Sequence, residues 1–322
     1  MTVEIPAVSA SRRPGRAALL FVLIGLGIYG GLVFASERLL YTTGRSNPFF
    51  KIATAAHERF DWVILGASHA MTLDFADFNA TMERETGLKI LNLASPGTGP
   101  IYNRFVLEQF LTKRRTGAVL YVLDSFAFYS AAWNEERFAD AKLLRRTPFD
   151  SAIARRLARY VREEGVDARA LLDYLTGFSK INNRERFAPD IWEGETQFER
   201  VYRPSSTAVS KRIAYLYPKP PDATALARYL DAFAALIALA RSHGTRIVVV
   251  KMPLPAQFRG RLPGEADFDA AVTRLLAAEG VAFHDLSQRL GEPRYYFDTD
   301  HLNRTGLTEF FRRDLEGLLT GP

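Results

Sequence analysis

Along most of this chain the apolar residues fall into two repeating patterns. Short runs rich in Val, Ile and Leu alternate with longer stretches in which apolar residues recur at helical spacing, and glycines punctuate the changes. Trp62–Leu65 reads as a buried strand, and Lys89–Leu93, Ala118–Leu123, Arg246–Met252 and Val281–Leu286 read as further strands. Leu73–Glu85, Tyr102–Lys113, Asp222–Ser242, Ala266–Glu279 and a final stretch at about Gly306–Leu319 read as helices. Gly87, Gly117, Gly244 and Gly280 follow the first four, where a helix C-terminus favours glycine. Five strands joined by crossover helices predict an α/β fold: a three-layer α/β/α sandwich on a doubly wound parallel sheet.

Two stretches break this alternation. Ala17–Ala35 is uncharged and, at 1.5 Å per residue, long enough to cross a bilayer as a helix. Arg12, Arg13 and Arg16 precede it, whereas Glu37 and Arg38 nearly cancel after it, so the positive-inside rule places the N-terminus in the cytoplasm and the rest outside. The expected organisation is a cytoplasmic N-terminus (1–16), a single-pass anchor (17–35), a connector (36–60) and a folded region (61–322) in the periplasm or on the outer face of a bacterial inner membrane. A signal peptide cleaved near Val33-Phe-Ala35 is the alternative, although the apolar run exceeds the usual length of such a segment. The second break, about 125–221, has helical patterning without a convincing strand run. It is expected to be an insertion over the carboxyl ends of the strands, where open α/β sheets bind ligands.

Composition changes this picture little. With 48% hydrophobic residues the chain has ample material for a core. The net charge of +6 is too mild for nucleic acid to be the expected partner, and the absence of cysteine suits an oxidising compartment without proving one. Within the insertion, Arg155, Arg156, Arg159 and Arg162 form one face of an amphipathic helix; a solvated face and contact with an anionic surface both fit.

Chemistry concentrates at two distant segments. Gly66-Ala67-Ser68-His69 follows the first strand, and Asp298-Thr-Asp300-His301 precedes the last helix. A serine hydroxyl becomes a nucleophile when a base takes its proton, and a carboxylate that fixes the base's tautomer strengthens the effect. Ser68 as nucleophile, His301 as base and Asp298 as its orienting carboxylate fill these roles; the spacing favours Asp298 over Asp300. No histidine has partners at metal-ligand spacing, and neither a metal nor a cofactor is expected.

These blocks resemble the SGNH (GDSL-like) hydrolase superfamily over about Asp61–Leu319. The resemblance implies an oxyanion hole made by the N–H groups of Ser68 and Gly97, the latter in Asn92-Leu-Ala-Ser-Pro-Gly97-Thr-Gly99. The family's Gly-x-Asn-Asp block is replaced by Leu123-Asp124-Ser125-Phe126, which leaves Asn134 as the nearest source of a third donor. His69, Asp124 and Lys251 are candidates for contacts with substrate. Ala67 in place of the signature aspartate, with His69 after the serine, is more similar to membrane-anchored SGNH proteins that modify cell-surface polymers, such as alginate O-acetylation and teichoic-acid D-alanyl transfer proteins. That likeness implies a serine acyltransferase or esterase acting on O-acyl, most simply O-acetyl, groups of a cell-surface glycan. It also implies an acyl donor and a multi-pass membrane O-acyltransferase as partner. The other reading is a glycan-binding accessory protein that keeps the fold without the catalysis. Transfer and hydrolysis share the same first half-reaction, and the residues do not separate them.

Overall fold

A computed structural model describes residues 14–140, 145–188 and 190–321. Arg12 and Arg13, on which the topology expectation partly rests, lie outside the described residues. Helix α1 (Pro14–Thr43) continues beyond the apolar run, and α2 (Pro48–Thr54) follows it. In α2 the Asn47 side chain accepts the N–H groups of Phe49 and Phe50, and Pro48 supplies a first-turn residue that lacks an N–H. Part of the expected connector is therefore helical, and Asn47-Pro48 was its sequence signal.

The sheet contains β1 (Arg59–Leu65), β2 (Ile90–Asn92), β3 (Arg115–Val122), β4 (Arg246–Lys251) and β5 (Ala282–Asp285) in the order β2-β1-β3-β4-β5, every pair parallel. Register pairs such as Ile64 with Leu120 and Leu120 with Val248 continue straight across its centre. Side chains alternate between two cores. Val63, Leu65, Val119, Tyr121 and Val249 face one, and Trp62, Ile64, Leu120, Val122 and Val250 face the other. On the first face lie α5 (Pro100–Lys113) and α10 (Ala223–Ser242), packed on each other; on the second lie α4 (Phe78–Thr86) and α11 (Arg304–Phe310).

The chain leaves β1 toward one edge to form β2, then returns past β1 to form β3. This reversal opens a crevice at the carboxyl ends of β1 and β3, the position where doubly wound sheets place ligands. Ser68 opens the short helix α3 (Ser68–Met71) at the end of β1, and Asp124 follows β3.

One expected helix is broken. Leu73–Glu85 runs as a 3₁₀ turn (Thr72–Asp77) and then α4, with Phe75 extended and Ala76 and Asp77 at positive φ of 45° and 61°. The break takes Phe75 off the helix into an aromatic cluster with Trp192, Phe198 and Phe297, while the Ala76 N–H donates to the Glu195 carboxylate at 2.9 Å. Tertiary packing thus overrides a helical pattern.

Between β3 and β4 come α6 (Ser151–Glu163), α7 (Ala168–Thr176), α8 (Phe178–Ile181) and α9 (Ser206–Leu216), joined by turns. This region divides its work. The helices α6, α7 and α8 gather around α5 and the C-terminal end of α1, whereas the stretch carrying Trp192 and α9 reaches the crevice.

Candidate active site

Gly66 shapes the turn that presents Ser68. Its φ is +141°, and a Cβ there would stand 2.7 Å from the Val122 carbonyl oxygen, so a side chain would push β1 away from β3. Its N–H donates to Asn103 Oδ1 at 3.1 Å, and its carbonyl accepts the Thr98 hydroxyl at 3.0 Å. Asn103 in turn donates to the carbonyls of Thr98 and Gly99. The loop after β2 is thereby tied to the Ser68 turn by buried Thr98 and Asn103, neither of which the sequence pattern had marked.

Ser68 Oγ lies 2.8 Å from His301 Nε2, across 233 positions of chain. The other imidazole nitrogen, Nδ1, lies 2.9 and 3.0 Å from the two oxygens of Asp298. A carboxylate can only accept, so Nδ1 carries the proton and Nε2 is left to receive one from Ser68. Asp298 is itself fixed by the N–H groups of Asp300 and His301, at 3.0 and 2.8 Å. Phe297 stacks on the His301 ring at 5.5 Å and Trp192 meets it edge-on at 5.2 Å. Ser68 is 4% and His301 1% exposed, so the pair is enclosed.

Gly97 has φ +61°, and a Cβ there would lie 2.7 Å from the Trp133 ring, so glycine is the residue the turn can hold. Among the described residues the N–H groups of Gly97 and Ser68 have no hydrogen-bond partner, whereas the nearby Ser95 N–H and Thr98 hydroxyl are taken by the Gly66 carbonyl. Asn134 does not supply a third donor. Its amide donates to the carbonyls of Ala127 and Ser130, at 2.7 and 3.1 Å, while its oxygen accepts the Ile101 N–H, and it packs against Gly99. It braces its own loop.

The three residues expected to touch substrate are also committed elsewhere. Lys251 is buried and ion-paired with Glu265 and Asp269 at the end of β4. His69 Nδ1 meets Asp124 Oδ1 at 2.5 Å, and its Nε2 lies 3.3 Å from Asp300 Oδ2, close enough for charge attraction but outside hydrogen-bond geometry. Asp300, fully buried, receives a two-point bond from Arg212 of α9, with contacts of 2.9–3.1 Å, and the Thr299 hydroxyl at 2.6 Å. Burial alone would push the His69 pKa down, but Asp124 and then Asp300 more than reverse this and hold it up at about 10. Burial likewise disfavours ionised Asp300, yet His301, Arg212 and His69 together hold its carboxyl well below the usual range. The result is a chain of alternating charge, Asp124, His69, Asp300 and Arg212, running behind the serine-histidine pair; the His69 and His301 rings are 4.8 Å apart.

His69, Asp300 and His301 bring ligand-type atoms within 4.8 Å of one another. The donors do not suit a metal ion: His69 is held protonated, Asp300 already binds a guanidinium, and His301 is bound at both nitrogens. Arg212 and Trp192 are the site residues that sequence reasoning missed. Both come from the insertion, about 90 and 110 positions before His301, and nothing in their local pattern distinguishes them.

No family model matches this chain, and no curated protein matches it. Among solved structures it is similar to a GDSL-like lipase from Bacteroides thetaiotaomicron (10% identity, TM-score 0.39, covering 84% of this chain and 93% of that one). It is also similar to a protein from Bacteroides fragilis provisionally named an acylhydrolase (9% identity, TM-score 0.38, covering 84% and 94%). Likenesses this distant carry no argument about function, which rests on the residues themselves.

Proposed function

We propose that this protein is a membrane-anchored serine acyl-ester enzyme, an esterase or O-acyltransferase, that acts outside the cytoplasm on O-acyl groups of a cell-surface polysaccharide. The observation that carries the chemical part is the continuous chain Ser68 Oγ, His301 Nε2, His301 Nδ1 and Asp298, with links of 2.8 and 2.9 Å. Ser68 attacks the acyl carbonyl as His301 takes its proton; the oxyanion faces the free N–H groups of Ser68 and Gly97. The imidazolium, stabilised by Asp298, then protonates the departing alkoxide. Water or a sugar hydroxyl releases the acyl group by the same steps in reverse. The glycan and a multi-pass acyl-donating partner are supported by the sequence resemblance, and the anchor by the length and apolarity of α1, whose 18-residue window has mean hydropathy 2.4.

One observation favours the second reading, a glycan-binding protein of the same fold. Ser68 is 4% exposed and its partner His301, 1% exposed, is packed against Trp192 and Phe297, so substrate must displace part of the surrounding cover. Treating the full chain in detergent with a fluorophosphonate probe separates the two. Stoichiometric labelling that Ser68→Ala abolishes, with loss of aryl-acetate turnover by several orders of magnitude and an unchanged melting temperature, supports the enzyme. A folded parent that takes no label supports the binding protein.

A further inference from the structure

Exposed large apolar side chains are distributed unevenly over this molecule. Apart from those on α1, the exposed ones are Phe149, Leu172, Leu175, Phe178, Phe187, Ile191, Val201 and Tyr215, all in the insertion. Among the described residues, neither face of the sandwich formed by 59–140 and 222–321 carries one. Scattered apolar residues need no explanation, but three of these are consecutive along one corner: Leu172 and Leu175, one helical turn apart on α7, and Phe178 at the start of α8, with exposures of 60, 51 and 60%.

That corner is seated on the anchor helix. Gly177, between α7 and α8, has its Cα side turned to Val33, where an added Cβ would lie 3.4 Å from a Val33 methyl. Lys180 is ion-paired with Glu37 at 2.5 Å and is 5% exposed, and the Phe149 N–H donates to the other Glu37 oxygen at 2.6 Å. Farther up, Thr43 accepts the Asp190 N–H at its carbonyl and donates its hydroxyl to the Arg186 carbonyl. The outer third of α1 is therefore part of the folded domain and not a free tether. Toward the N-terminus of α1, an open cleft of about 630 Å³ separates Tyr29 from Leu172, Thr176 and Phe178.

Position along α1 sets the depth of these contacts. The uncharged run ends at Ala35, and a helix rises about 1.5 Å per residue, so Val33 lies about 3 Å and Tyr29 about 9 Å inside that end. Side chains level with them meet the boundary between headgroups and acyl chains, where interfacial helices bury an apolar face by about 5–10 Å. Two carboxylates at the corner act as caps: exposed Asp167 accepts the Arg169 N–H, and half-buried Asp173 takes the Ser179 N–H and hydroxyl. Asp167, Asp173 and Arg169 line the cleft, which suits the headgroup level, and Leu172, Leu175 and Phe178 are the apolar side chains exposed at the corner; the Arg169 stem can lie along lipid while its head reaches the phosphates.

We propose that the α7–α8 corner is a membrane foot that inserts Leu172, Leu175 and Phe178 into the outer surface of the bilayer crossed by α1, with the cleft beside Tyr29 at the level of the lipid headgroups. Its occupant is lipid because the patch is continuous with the apolar surface of α1, which the bilayer covers. The foot and the anchor hold the domain at two points, fixing its orientation on the membrane. The proposal rests on α1 being an uncleaved anchor, and the test separates the two. The chain has no cysteine, so single-cysteine variants can be labelled without background. Full-length Leu175→Cys, Phe178→Cys, Ile24→Cys and Ala277→Cys, each carrying an NBD fluorophore, are placed one copy per nanodisc of phosphatidylethanolamine and phosphatidylglycerol. Quenching by a nitroxide lipid is then compared with quenching by aqueous iodide. The foot predicts that labels at 175 and 178 follow Ile24, with lipid quenching at least twofold above iodide quenching, while Ala277 on the outer domain shows the reverse. Lipid quenching at Ile24 with iodide quenching at 175 and 178 overturns the foot and leaves the anchor; iodide quenching at Ile24 overturns the anchor. Protection of 175 and 178 from both quenchers would mean protein cover, a second contact within the chain or a partner, and also overturns the foot.

Discussion

Two histidines separated by 4.8 Å between ring centres occupy this site, each beside an aspartate, and they do different things. His301 has a carboxylate on one nitrogen and a hydroxyl on the other, so its free lone pair faces the one group whose proton is worth moving. His69 lies between two carboxylates, Asp124 and Asp300, and is held charged up to about pH 10. The parts are nearly the same; the second neighbour decides. An imidazole becomes a base when its other partner is a weak acid, and a fixed cation when that partner is a second anion. Asp298 and Asp300 divide the same way. Asp298 is 35% exposed at its side chain and bound mainly to His301, whereas Asp300 has no exposure and is locked to Arg212. In the proposed reaction the first pair moves the proton, while the second ties the Ser68 turn, the histidine turn and the insertion together.

This contrast breaks most visibly at the two aspartates. Asp298→Asn should lower turnover by about three to four orders of magnitude, because the amide can hold His301 in the wrong tautomer, with little change in melting temperature. Asp300→Asn should do the opposite in kind. Removing one partner from a buried ion pair costs about 3–5 kcal/mol, and chemical denaturation should report it as a lower midpoint. The three-residue spacing that favours Asp298 leaves Asp300 outside the proton path, so turnover of that variant should change little; burial beside Arg212 is why its loss costs stability instead. If the two variants exchange these phenotypes, the assignment of roles is wrong.

The charge on His69 can be tested through pH. Its pKa is raised from 6.5 in the unfolded chain to about 10 in the fold, so folding retains a proton. The associated stability is complete below about pH 6.5 and is lost as pH rises toward 10, with a slope of up to about 1.4 kcal/mol per pH unit. In His69→Gln this alkaline slope should flatten and overall stability should fall, since Asp124 and Asp300 lose their shared cation. An unchanged alkaline slope in denaturation midpoints measured from pH 6 to 10 would show that His69 is neutral. The smallest effect is expected for Arg212→Lys, which keeps the charge but loses the two-point geometry on Asp300. A loss of about 1–2 kcal/mol and a modest fall in turnover should follow, and equal stability of variant and parent would remove Arg212 from the network.

How much of this was legible depended on range. The central strands were readable because a parallel strand buried on both faces needs a continuous apolar run, and Trp62–Leu65 and Arg246–Met252 have one; the edge strand β5, exposed or half-buried along its length, was readable from its place in the strand–helix alternation. Ser68, His301 and Asp298 were readable because each stands in a short segment whose local pattern, strand then turn or turn then helix, fixes its place at the sheet's carboxyl edge. The helix break at Phe75 was not, because what displaces that residue is the pull of Trp192 and Phe198, more than 100 positions away. For the same reason Asn134 could be proposed as a donor from its position, while only its neighbours' carbonyls reveal that its amide is spent.

The sequence by itself determined the α/β alternation, the apolar α1 and the identity of the serine, histidine and aspartate, since these follow from periodicity and short-range spacing. Only the tertiary structure decided which carboxylate faces which histidine, that Lys251 is sealed in an ion pair, and that an insertion helix supplies Arg212. The physical reason is that pKa, hydrogen-bond commitment and burial belong to a residue's surroundings in space, and those surroundings are assembled from parts of the chain that carry no mark of one another.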